Sequence, residues 1–135
     1  MNAIRIPLAV AAIVAMAGST GCTPAAQATD GPAEFQSRAQ LPSCGTVELD
    51  QGDSIPSDAL DCVADAGDDG AELVVVAPTV EGDPITTYYR ILPQGGWEVF
   101  TDMSEDSFGG GWSHALCPDA VSMDDMGTCT DEPME

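Results

Sequence analysis

The chain has 135 residues, no lysine, three arginines and 23 acidic residues, for a formal charge of −20. That length allows one small domain. The charge excludes nucleic acid as a partner, because phosphate binding needs clustered Lys or Arg, and it excludes adhesion to anionic headgroups for the same reason.

Residues 1–21 read as an export signal. Arg5 gives a basic lead, and Ile6 to Ala17 is apolar but too short to span a bilayer, which takes roughly 20 apolar residues. Ser19-Thr20-Gly21-Cys22 resembles the lipobox of bacterial lipoproteins, departing from it at Ser19, where an aliphatic residue is usual. The resemblance implies cleavage before Cys22 and acylation of that cysteine by lipid such as palmitate. Two or three acyl chains would hold the protein durably on the extracytoplasmic face of the cell membrane. The competing reading is plain secretion with cleavage after Ala17. Loss of Arg5 would leave two arginines against 23 acids, a charge of −21.

Cysteine arithmetic agrees with lipidation. The chain has five cysteines, and with Cys22 acylated the remaining four can pair fully. Export places Cys44, Cys62, Cys117 and Cys129 where disulfides persist. Three connectivities exist. Cys44–Cys62 with Cys117–Cys129 is favoured, since each closes a short loop; Cys44–Cys117 would instead tie the ends of the domain together. A four-cysteine zinc site lacks any C-x-x-C spacing.

Residues 22–40 lack a hydrophobic period and read as a lipidated flexible tether. Residues 41–120 form the expected domain, and residues 121–135 an acidic, mostly disordered tail pinned at Cys129. Thr46 to Asp50 alternates and is a candidate strand. Ser57 to Ala66 has helix character, with Pro56 ahead and Gly67 behind. Its apolar stripe is Ile55, Ala59, Cys62, Val63 and Ala66. Leu73 to Ala77 is β-branched and continuously apolar, as a strand covered on both faces would be. Ile85 to Leu92 and Trp97 to Thr101 form a hairpin around Gly95-Gly96. A two-residue loop would pair Leu92 with Val99, and a four-residue loop Leu92 with Trp97. Gly109-Gly110-Gly111 breaks the chain before a last strand, Trp112 to Leu116. The expected fold is α+β: a small antiparallel sheet of about four strands, one helix packed on one face, stapled by disulfides.

Two segments stand out. Thr79-Val80-Glu81-Gly82-Asp83-Pro84-Ile85 reads T-x-E-G-D-P-I. Asp102 to Gly109 reads D-x-x-x-D-x-F-G, with Asp106 and Phe108 inside it and Cys117 following. Together they resemble a family of small bacterial lipoproteins of undescribed function, over roughly residues 47–118. The family implies a shared fold and no reaction. On physical grounds Gly82 supplies a positive φ and Pro84 cannot donate to a ladder, so this is a turn between strands. Asp102 and Asp106 suit loop capping, and Phe108 is expected to anchor that loop on the core.

The functional alternative converges Glu81, Asp83, Asp102 and Asp106 on calcium, which takes 6–8 oxygens. The loop Asp65 to Gly70 is a poorer calcium match, with Val76 where the twelfth position needs Glu. A Ser-His-Asp site would have to use His114, the single histidine, and the chain has no G-x-S-x-G elbow. Copper at His114 with Met103, Met123, Met126 and Met134 matches no defensible spacing. Tyr88, Tyr89, Trp97, Phe100 and Trp112 are expected in the core. The sequence therefore points to an anchored, non-enzymatic binding or adaptor domain with a protein partner and no cofactor, calcium binding being the alternative.

Overall fold

The computed structural model describes residues 31–134. The leader, the acylation candidate Cys22 and the first part of the expected tether lie outside the described residues. A four-residue helix α1 (Ala33–Gln36) precedes strand β1 (Ser43–Glu48). Helix α2 (Ser57–Ala64) and a 3-10 turn (Gly67–Asp69) lead to β2 (Ala71–Pro78). Then follow β3 (Pro84–Ile91), β4 (Trp97–Met103), β5 (Gly111–Cys117) and β6 (Thr130–Asp131). All six strands form one sheet, in the order β1-β2-β3-β4-β5-β6.

The α+β expectation holds at the level of a sheet with some helix, but the sheet has six strands rather than about four. It is also mixed. β1 runs parallel to β2, whereas every later pair is antiparallel. Parallel neighbours need a crossover, and α2 supplies it. Asp65 caps α2, so the helix ends two residues earlier than Ala66.

The pleat sorts residues onto two faces. Leu73 pairs with Tyr89, Tyr89 with Val99, and Val99 with Ala115; Ile91 pairs with Trp97, and Trp97 with Cys117. These belong to the first face, where Ala59 and Val63 of α2 meet Leu73, Val75 and Trp97, with Met123 and Met126 packed alongside. The second face carries Val74, Tyr88, Phe100 and Trp112. β2 is thus covered on both faces, as its apolar run implies. The hairpin matches neither expected register: Ile91 pairs with Trp97, and the Leu92 N–H donates to the Gly96 carbonyl. A three-residue loop, Pro93 to Gly95, closes it.

Both disulfides follow the favoured pairing, Cys44–Cys62 and Cys117–Cys129. The first fastens β1 to α2. The second fastens the end of β5 to the chain leading into β6.

Two boundaries need correction. The tether reading extends to Gln40, yet Phe35 is 0% exposed and is the centre of the second core. Its ring centroid lies 4.6 Å from Tyr88, 5.4 Å from Phe100 and 4.4 Å from Trp112. The 121–135 segment, read as a mostly disordered tail, contributes β6, and Met134 packs on the same aromatic cluster.

Removing a fully buried aromatic ring costs about 3–5 kcal/mol. Phe35→Ala is therefore expected to lower stability by about that amount in urea melts. A segment outside the fold would show no change. Burial also raises the Tyr88 pKa above its usual 10.0. Arg38 opposes this shift, and Asp102 and Glu72 add to it. Burial raises Tyr89 as well. The folded state keeps these phenol protons longer than the unfolded chain does. Their contribution is therefore intact below about pH 10 and is lost as pH rises through the raised folded values. Phenolate absorbance followed alongside urea melts above pH 9 is expected to show ionisation and loss of stability together.

Candidate functional site

The two sequence motifs meet at one end of the sheet. The β2–β3 turn is closed by the Thr79 N–H donating to the Asp83 carbonyl (2.8 Å) and the Gly82 N–H donating to the Thr79 carbonyl (3.0 Å). Gly82 has φ +95°, a conformation that favours glycine. Thr79 Oγ1 accepts from the Asp83 N–H at 3.1 Å. Across the gap, Asp83 Oδ2 accepts from the Ser107 N–H at 3.4 Å, which joins this turn to the β4–β5 loop.

Within that loop the carboxylates are capping groups. Asp102 Oδ1 accepts from the Ser104 N–H at 2.9 Å and from the Ser104 hydroxyl. Asp106 Oδ1 accepts from the Phe108 N–H at 2.8 Å. A Cβ at Gly109 would stand 2.6 Å from the Met103 carbonyl oxygen, so the glycine there is required by close approach. Among the described residues, no group of three or more His, Cys, Asp or Glu is placed to hold a metal ion. Asp83, Asp102 and Asp106 hold the loops, and Glu81 is exposed beside them.

Phe108 departs from expectation. It is 85% exposed, and the loop is shaped by Asp106 and Gly109 rather than by an aromatic anchor. Val80, in the turn next to it, is 83% exposed. This end therefore displays two bare apolar side chains among Glu81, Asp83, Glu105 and Asp106. Pro84 opens β3 at its edge, where no N–H is needed.

The second face holds a charged ladder that sequence reasoning did not find. β2, β3 and β4 place Glu72, Arg90 and Glu98 side by side. Arg90 is 1% exposed. Its Nη1 meets Glu98 Oε2, its Nη2 donates to the Ala39 carbonyl, and its Nε lies 3.0 Å from Glu72 Oε2. Arg38 joins from the segment after α1. Its Nε donates to Glu72 Oε2 at 3.0 Å and its guanidinium lies 3.7 Å from the Phe35 ring centroid. His114 Nε2 lies 3.0 Å from Glu98 Oε1, and its ring stacks on Phe100 at 4.1 Å. Two arginines thus balance two glutamates. The only sequence signal was the scarcity of cations in a strand pattern, where each must find a partner when buried.

At the opposite end of the sheet, two depressions flank Trp97. One, of about 310 Å³, is bounded by Leu92, Gly96, Leu116, Pro118 and Thr130. The other, of about 290 Å³, lies beside α2. Leu60, Val63, Ile91, Trp97 and Met123 form its floor and walls, with Asp61 and Asp124 at its margin. Val121 also lines it and is 75% exposed. Trp97 was expected in the core and is there, but its role at this surface depends on the 118–124 segment folding back across the sheet.

Comparison of the chain with protein-family models, with curated proteins and with solved structures finds no significant match.

Breaking a buried ion network from one side leaves unpaired charge, at about 3–5 kcal/mol. Arg90→Met leaves Glu72 and Glu98 without their shared partner. It is expected to destabilise the fold by about that amount in urea melts at neutral pH. A change under about 1 kcal/mol would mean the ladder is energetically idle.

Proposed function

We propose that this chain is a lipid-anchored, extracytoplasmic binding or adaptor domain without a reaction of its own. Its receptive surface is the groove beside α2, and its partner is a protein segment that presents an apolar side chain flanked by basic residues. The observation that carries this reading is the makeup of the groove: an apolar floor at Trp97 with Asp61 and Asp124 at the margin. The charge balance supports it. Arg38, Arg90 and His114 are all engaged in the internal ladder, which leaves the acids to set the character of the surface. Complementary charge speeds encounter and selects partners, and a buried apolar anchor supplies residence time.

The anchor rests on the lipobox resemblance at Cys22, and the choice of a binding role on that anchor, the small disulfide-stapled fold and the absence from the sequence of a recognisable catalytic set. The two disulfides fit an oxidising compartment. The motif residues enter as the framework of one end of the domain, since their carboxylates cap its loops.

Cross-linking on intact cells, followed by mass spectrometry, tests the groove. Wild type is expected to capture a basic partner that Asp61→Lys/Asp124→Lys loses at least tenfold, with an unchanged melting temperature. Raised salt would weaken capture by wild type. Equal capture by both proteins, or capture indifferent to salt, would remove the groove from the function.

A further inference from the structure

The motif end and the groove end lie a strand length apart. β4 has seven residues, a span of about 23 Å. The first described residue lies at the motif end. A Cβ built on Gly31 would stand 3.2 Å from Trp112 Cη2, and Trp112 pairs with Asp102 at the motif end. From there the chain crosses the second face through Phe35 and Arg38 and reaches β1 beside β2. Nine residue steps separate Cys22 from Gly31, so the acylated cysteine can stand no more than about 30 Å from this point. The leash therefore leaves from the motif end, and a flexible chain of nine residues has an r.m.s. span of about 15–18 Å, shorter than β4, so on average the motif end lies nearer the bilayer than the groove end does.

That end is where two of the three exposed large hydrophobics among the described residues are found, Val80 and Phe108. Single exposed apolar side chains are ordinary on a protein surface. These two project from loops that are joined by the Asp83–Ser107 hydrogen bond and held open by aspartate caps. The half-buried Trp112 ring lies at the base of the same loop. Phe and Trp side chains partition into the headgroup region. Glu81, Asp83, Glu105 and Asp106 beside them oppose approach to an anionic surface. A contact this small would not bind a free protein to lipid. Linked to a lipid anchor, it becomes an intramolecular event at high effective concentration.

We infer that the motif end is a membrane-resting face: Phe108, with Val80 beside it, lies against a zwitterionic lipid surface and holds the domain upright, so that the Trp97 groove points outward. This rests on the lipid-anchor reading of Cys22 and goes beyond it by assigning the two motifs a partner.

The test uses the full-length acylated protein in its own membrane, with a benzophenone amino acid placed at position 108 and, in a second sample, at the exposed position 94 in the opposite hairpin. On irradiation, position 108 is expected to give lipid adducts at roughly fivefold or more the yield of position 94. Equal yields, or protein adducts in place of lipid at 108, would overturn the inference. Membrane fractionation reports on the anchor separately. If wild type and Cys22→Ser are both soluble, the anchor reading fails and takes this inference with it. If wild type is membrane-bound and position 108 gives no lipid adduct, only the resting face fails. In phosphatidylcholine vesicles, replacing part of the lipid with phosphatidylglycerol is expected to lower the adduct yield at 108, and added salt to restore it. An unchanged yield would overturn the preference for a zwitterionic surface.

Discussion

The structure depends on a single electrostatic constraint: the ladder Arg38–Glu72–Arg90–Glu98–His114. Arg90 cannot be buried at mid-sheet unless a carboxylate stands on each neighbouring strand, because an unpaired guanidinium in the interior is costly. That requirement agrees with the register of β2, β3 and β4, in which Glu72, Arg90 and Glu98 are direct partners. A slip of one residue would turn the glutamates to the other face. Glu72 then has room for a second cation, and Arg38 fills it. Arg38 fixes the segment that carries Phe35, and Phe35 organises the second core. Local pairing, docking of the N-terminal segment and aromatic packing thus follow from two arginines and two glutamates.

Much of the fold could be read from pattern. The alternation of β1, the β-branched run of β2 and the glycine pair of the hairpin each placed a strand near its observed position. Loop length favoured the disulfide pairing that is found. The parallel β1–β2 pair was also legible in principle, since a strand, a helix and a strand in succession is the signature of a crossover. The N-terminal boundary was hidden by composition. Residues 23–40 are dominated by small and polar types, and Phe35 and Arg38, the exceptions, are isolated in sequence. Their importance comes from partners 34 to 77 positions away, which no local window contains. β6 has two residues and no period to detect. The hairpin register was missed because Leu92 pairs with Gly96, which places both inside the turn region.

Site residues divide in the same manner. Asp102 and Asp106 were read as loop caps from the turn chemistry of aspartate, whereas the hydrogen bond from Ser107 to Asp83 across the two loops had no local signal. Phe108 was placed inward because an aromatic residue in a small domain is usually needed by the core, and here α1 supplies that ring instead. The groove beside α2 had no linear signature. It exists because Val121 to Asp124 fold back over Trp97, which follows from the position of Cys129 and not from any motif.

The two faces of the sheet are closed by different chemistry. Both disulfides serve the first face, fastening α2 and the 118–129 segment covalently beside Leu73 and Trp97. Among the described residues the second face has no covalent fastening: ion pairs and tilted and edge-on ring contacts hold residues 31–40 over Tyr88 and Phe100. The domain therefore has two independent weak points. A reductant loosens the cover of the first face and leaves the ladder untouched. Loss of the Arg38–Glu72 pair releases the N-terminal segment while the disulfides stay closed. In the second case the loosened piece is the one next to the proposed anchor, so breaking that pair would lengthen the leash and let the domain drift from the surface proposed for it.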